Sequence, residues 1–436
     1  MKSISLMTLI AIISGYFFVT PIDSSNMKIN ELAEESLIET GTVVNPDINS
    51  QIQGLSFSEL AEDLLDTPYN GKGSSPEEGF STGTLVQYMY SISEGVLLSR
   101  YPHLQSELGE PVKKENLKEG DLVFFQGKKN KISAIYLKDQ QFVVVTKDGV
   151  ALRHLTSDLF WKKRFIEGKR LTQKEKVSLN PSTYKNHDHV AVREAISLLH
   201  RPYKLTGNTL AAFDCSFLVQ HAFEEMDIHL PRITYQQFDL GKDISLENAM
   251  PGDVIYFSGT WQEGISHTGI YLGDHFFIHA SGEEGETMIS YLGEEWMKHF
   301  TGIKRFNELR IQNDHPAVKV AYEMINMPFS TQGESPEKGF NQSGFIHYAF
   351  KEMNNHVPRS GKNQWDYGEN VPQGSEKPGD VMFFESDQGI HLPTLYIGNG
   401  QIITVREDKG VSIVYPKFSH YWTYDRHIGT KRYPIN

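Results

Sequence analysis

The 436-residue chain holds one cysteine, Cys215, in the run Phe213-Asp214-Cys215-Ser216-Phe217-Leu218-Val219-Gln220. Apolar residues follow it at helical spacing, and Asp214 stands where an N-cap belongs, which predicts a helix opening at the cysteine. A thiol in the first turn of a helix faces unpaired backbone N–H groups and the positive end of the dipole, and both favour thiolate. The opposing reading is a small buried hydrophobe, a common fate of free cysteine. Thiolate chemistry also needs a base within hydrogen-bond reach and a third group that fixes the imidazole tautomer. His267, at the start of an expected strand, is the base candidate, and His279, on the next strand, is the orienting group.

Strand parity tests that pairing. A two-residue turn at Gly273-Asp274 puts the two histidines on opposite faces of the hairpin. A three-residue loop, Gly273-Asp274-His275, with His275 in the left-handed region returns them to one face.

The elements that must position these groups occur three times in the same order. A periodic helix ends in Thr67-Pro68-Tyr69, Arg201-Pro202-Tyr203 or Met327-Pro328-Phe329. A Gly-Asp pair then leads a strand at Asp121, Asp253 and Asp380; hairpins follow around Tyr136, Tyr271 and Tyr396. Each unit closes on a tryptophan (Trp161, Trp296, Trp422) and a Lys-Arg tail. Four landmarks in phase imply a triplicated domain, and helices followed by strands imply an α+β fold with an antiparallel sheet. The expected layout is a signal peptide or tether over 1–26, a polar spacer over 27–50, and domains over 51–172, 183–308 and 309–436.

Laid over one another, the copies put Thr82 and Gln342 opposite Cys215, Ile132 and Leu392 opposite His267, and Val144 and Thr404 opposite His279. All three chemical groups are present in the middle copy and absent from both others, which core filler has no reason to do. The tryptophans recur in every copy and read as core or interface anchors. His187 and His189 read as exposed linker residues, and Glu77 and Glu337 as solvated loop carboxylates.

The middle copy resembles the NlpC family of papain-like bacterial cell-wall cysteine peptidases. The likeness rests on Pro202-Tyr203, Phe213-Asp214-Cys215-Ser216, Leu230-Pro231-Arg232 with Thr234 and Gln237, Pro251-Gly252-Asp253, and His267-Thr268-Gly269-Ile270-Tyr271 through Ser281. The flanking copies resemble degenerate members. The resemblance implies a nucleophilic Cys215, a base His267 and a third polar residue His279, with Tyr203, Asp214, Ser216, Arg232 and Thr234 lining the substrate site. It implies hydrolysis of the γ-D-glutamyl–diamino acid bond in peptidoglycan stem peptides or muropeptides, with Tyr203 and the Cys215 N–H serving the oxyanion. Two departures stand out: Phe217 replaces a family glycine, and Leu205-Thr206-Gly207 replaces a Trp-Gly-Gly.

A net charge of -13 argues against a nucleic-acid partner. One cysteine excludes an internal disulfide framework, and the dispersed histidines give no metal or cofactor site. The apolar run within Met1–Thr20 predicts export, to the medium or the cell surface. The competing readings are a peptidoglycan-binding scaffold with residual catalytic residues, and a thiol-dependent wall amidase or acyltransferase.

Overall fold

A computed structural model describes residues 55–311 and 314–434; the expected signal segment and spacer lie outside them. The middle copy runs α1 (Val190–Ser197), α2 (Cys215–Glu224), α3 (Thr234–Phe238), β1 (Lys242–Ile244), β2 (Val254–Ser258), β3 (Ile265–Gly273), β4 (Phe276–Ala280), β5 (Thr287–Tyr291), α4 (Glu294–Met297) and β6 (Phe300–Arg305). Its sheet has the order β1-β6-β2-β3-β4-β5, and the sheets of the first and third copies repeat that order strand for strand. The β1–β6, β3–β4 and β4–β5 pairings are antiparallel, as are their counterparts in the other two copies. The fold is thus α+β, three times over.

Two compact units divide the chain. One runs to Leu218 and takes up Ala249–Thr260 and Thr268–Thr301; the other holds Val219–Asn248, Trp261–His267 and residues from Gly302 onward. The division falls inside the middle copy, through α2 and β3, and so does not follow the sequence repeat.

The repeated landmarks have structural causes. Gly120, Gly252 and Gly379 sit at φ of 87°, 96° and 97°, and a Cβ there would meet the rings of Phe57, His189 and His315 at 2.8, 2.4 and 2.3 Å. Only glycine suits both the dihedral and the approach. The neighbouring aspartate is buried and turns back on its own loop: Asp121, Asp253 and Asp380 accept from the N–H of Lys118, Met250 and Lys377 at 2.7–2.8 Å. In the first and third copies it also receives a two-pronged bond from the arginine of the tail, Arg170 at 2.7 Å and Arg432 at 2.6–2.7 Å. Two distant sequence motifs are therefore halves of one charge-assisted contact.

His189 departs from expectation. It is half-buried, directly before α1, with its ring against Gly252, and its N–H donates to Nδ1 of a half-buried His187. Linker composition hid this, because the burial comes from a glycine sixty-odd residues downstream. Trp161 and Trp422 are buried as anticipated, whereas Trp296 is only half-buried.

Candidate active site

Cys215 is the first residue of α2, as its surroundings in sequence imply, and is buried. The Asp214 carboxylate caps the helix: Oδ1 accepts from the Phe217 N–H at 3.0 Å and from the Ser216 hydroxyl at 3.1 Å. Ser81 and Asn341 do the same for Thr82–Glu94 and Gln342–Lys351. All three helices therefore begin at the residue aligned with Cys215, so the alignment is one of backbone position.

Phe217 is accommodated by a change in its partner. In the third copy the family glycine survives as Gly344, where a Cβ would meet the Gly333 carbonyl at 2.0 Å. In the first copy Thr84 stands there and donates to the Gly73 carbonyl at 2.7 Å. In the middle copy Phe217 packs on Phe213, ring centroids 5.5 Å apart, and the small hairpin before the helix is rebuilt. Asn208–Thr209 pairs with Ala212–Phe213 across a two-residue tip, where the flanking copies have three. The Asp214 N–H donates to the Gly207 carbonyl at 3.3 Å, which brings Leu205-Thr206-Gly207, the other departure from the family pattern, to the same helix start.

Tyr203 is half-buried beside this helix start and bridges to Phe213. Burial, with the charges of Cys215 and Asp214, pushes its hydroxyl up to about 12, so it remains a donor at neutral pH. Tyr256, wholly buried on β2, is likewise driven up by burial, the charge of Cys215 adding to it. Thus the thiol lies within electrostatic range of two protonated phenols.

On the hairpin, the device that sets parity differs in detail from the expected three-residue loop. The turn has two residues, Asp274 and His275, at φ of 53° and 66°, and Gly273 pairs with Phe276. The odd residue is Leu272, a bulge between the Tyr271–Phe277 and Gly273–Phe276 pairs. The parity result is the same. A Cβ at Gly269 would sit 3.0 Å from that of His279, and period two along β3 puts His267 on the face that Gly269 takes. The first and third copies carry the same positive-φ pair, Asp139-Gln140 and Asn399-Gly400, which fixes Ile132 and Leu392, Val144 and Thr404 as the counterparts of the histidines.

His267 is buried, and His279 is fully so. The His279 Nε2 lies 2.9 Å from the Ser290 hydroxyl on β5, and its ring meets the edge of Trp296 at 5.0 Å and Phe277 at 4.8 Å. Trp296 is therefore both an anchor and a wall on the imidazole. Thr234 opens α3 and is buried; Arg232 lines a groove described below.

A repeated brace beside the site escaped sequence reading. Arg100, Arg232 and Arg359 occupy one position in the three copies, and Gln105, Gln237 and Gln364 another, five residues on. The glutamine amides donate back to the carbonyls of Ser99, Pro231 and Pro358 at 2.7–2.8 Å. Arg359 donates to the Gly333 carbonyl and the Ser343 hydroxyl, both at 3.0 Å, and Arg100 to the Lys72 carbonyl at 2.8 Å. Recurrence in copies without catalysts was the available signal. It marks the arginine as a strut between this segment and the hairpin loop in the flanking copies.

The NlpC/P60 family model matches three stretches, residues 66–170, 200–305 and 326–430. The chain belongs to the NlpC/P60 family. Among curated proteins it is 37% identical over 383 residues to the gamma-DL-glutamyl hydrolase of Bacillus subtilis, covering 85% of this chain and 89% of that one. It is 40% identical over 110 residues to murein DD-endopeptidase MepS/murein LD-carboxypeptidase of Escherichia coli, covering 25% of this chain and about half, 54%, of that one. A solved lipoprotein-like NLP/P60 protein of Staphylococcus aureus is 27% identical over 32% of this chain and 51% of its own, with a TM-score of 0.25. This NlpC/P60 chain is a hydrolase of the family's cysteine peptidase class. Among the described residues no group of histidines, cysteines and carboxylates is arranged to hold a metal ion, and no helix is long and apolar enough to cross a membrane.

Proposed function

We propose that the middle copy, taken as residues 183–308, is an exported peptidoglycan peptidase that cuts stem peptides at the γ-D-glutamyl–diamino acid bond. Cys215 is the nucleophile, His267 its base and His279 the group that orients the base. The thiolate attacks the γ-carbonyl carbon while the Cys215 N–H and the Tyr203 hydroxyl receive the oxyanion. The protonated imidazole then gives its proton to the leaving amine, and a thioester remains. Water, deprotonated by the same imidazole, releases the acid and the thiol. Asp214, Ser216, Arg232 and Thr234 line the substrate's path.

The observation that carries this reading is the joint loss of Cys215, His267 and His279 from two copies that keep their backbone positions. The long match to a gamma-DL-glutamyl hydrolase supports the γ-glutamyl bond. The first copy acts as a wall at one end of the groove. Its Tyr101 hydroxyl donates to the Glu283 carbonyl at 3.0 Å, in the loop whose Gly282 faces the Tyr203 ring. Such a wall favours free muropeptides over intact peptidoglycan.

The test is to incubate the protein and its Cys215→Ala variant with tripeptide and tetrapeptide muropeptides and with whole peptidoglycan. Release of L-Ala-D-Glu from muropeptides, lost by a factor on the order of 10⁴ in the variant, is the expected result. Cleavage at another bond sinks the bond assignment, and equal cleavage of intact wall sinks the wall at the groove's end.

A further inference from the structure

The third copy has lost its catalysts without closing its cleft. A cavity of about 960 Å³ opens where Gln342 and Leu392 replace the nucleophile and the base, a size ordinary for ligand sites. Gln342 does not fill it: its amide Nε2 donates to the Val405 carbonyl at 2.8 Å, which ties the side chain back. The segment on the opposite rim is kept as well, with Arg359 and Gln364 braced as described above.

The lining is charged in both senses. Among the described residues neither Lys362 nor Glu407, both lining the cavity, has an ion-pair partner or a side-chain hydrogen bond. His391 in the same wall has a buried Nδ1 without a partner. An orphaned buried nitrogen in a cleft wall is costly unless something meets it. The cleft also continues. Gln342, Glu407 and Tyr421 line a second groove of about 760 Å³ that reaches Arg232 of the middle copy.

We propose that this vacated cleft is a binding site for a short peptide bearing both carboxylate and ammonium groups, held there without being cut. The peptide class rests on the substrate reading above: a stem peptide offers a free carboxylate to Lys362 and the diamino acid's ammonium to Glu407.

The test uses the full chain as Cys215→Ala, so that nothing is consumed, titrated calorimetrically with a tetrapeptide stem. Two equivalents are expected, falling to one in Cys215→Ala/Lys362→Glu, with the second dissociation constant raised at least tenfold. Lys362 is exposed, so its charge reversal leaves the fold intact, which circular dichroism checks. With Cys215 restored, Lys362→Glu is expected to leave kcat/KM for single stems unchanged. One equivalent or none in the parent, or an unchanged two in the Lys362→Glu variant, overturns the proposal. Failure of the substrate reading shows separately, as absence of cleavage by the unmodified enzyme.

Discussion

The middle and third copies share a backbone and differ in what it carries. Both open the key helix on a capped N-terminus, turn the hairpin with two positive-φ residues and a bulge, and bury the aspartate of Gly-Asp in its own loop. Beyond Phe217 and the rebuilt hairpin before the helix, they part at the three positions of the proposed chemistry: Cys215 against Gln342, His267 against Leu392, His279 against Thr404. The residues that make this fold are therefore not the residues proposed to make the chemistry. A copy can lose the second set and keep the first, cleft included, because none of the three positions proposed as catalytic is needed to cap, turn or pin the chain.

The largest effect tests the chemical half of that contrast. His267→Ala is expected to lower kcat on the order of 10³-fold or more with little change in melting temperature. Leu392→His in the third copy is expected to add no activity. Activity retained without His267 would show that the residue belongs with the scaffold. The structural half is tested next by Asp380→Ala. It removes the carboxylate that Arg432 and the Lys377 N–H share, and is expected to destabilise the third copy by about 3 kcal/mol while leaving kcat of the middle copy unchanged. Thermal unfolding read beside muropeptide turnover separates the two, and a joint fall would mean that the third copy supports the active one.

A third prediction sharpens the comparison by asking what the middle copy gets from the first. Glu284 is buried between them, receiving the Ser99 hydroxyl and, at 3.4 Å, the Arg100 N–H. Burial raises its carboxyl from 4.5 to about 7; the bonds from Ser99 and Arg100 and the Arg100 charge oppose the rise, and Glu286 adds to it. Between pH 4.5 and 7 the folded chain holds a proton that the unfolded chain has lost, so stability falls as pH rises through that window, by at most roughly 3 kcal/mol. Glu284→Gln should flatten this slope and raise the melting temperature at pH 8. A slope unchanged in Glu284→Gln assigns it to other groups.

How much of this was legible depended on whether the cause lay nearby in sequence. The helix start at Cys215, the triplication and the shared face of the histidines follow from local pattern, period and in-phase landmarks. The Gly-Asp pair was visible as a landmark, but its reason was not, because the ring and the arginine that explain it come from about 50 to 64 positions away. The turn shows a finer limit. Parity demanded one extra residue somewhere in the hairpin, and nothing in Tyr271-Leu272-Gly273-Asp274-His275 said whether it sat in the loop or in the strand. The open cleft of the third copy was beyond sequence altogether, since it depends on which way Gln342 turns.

The smallest effect lies at the proposed orienting histidine and has no counterpart in the third copy, where Thr404 stands. The His279 Nε2 lies 2.9 Å from the Ser290 hydroxyl, and Trp296 and Phe277 confine the ring in other directions. If His279 acts by holding the base, loosening one end of it should weaken that hold without abolishing it. Ser290→Ala is expected to lower kcat roughly tenfold, the equivalent of one modest hydrogen bond, and to leave KM alone. It should also move the acid limb of the kcat/KM–pH profile, because a less firmly oriented partner changes the ease with which the base takes a proton. Ser290→Thr, which keeps the hydroxyl, should restore both. A purely structural serine would instead alter the melting temperature and leave the pH profile where it was. The third copy sharpens the contrast, since Val414 stands opposite Ile402 where Ser290 stands opposite Phe277, and it offers no hydroxyl there.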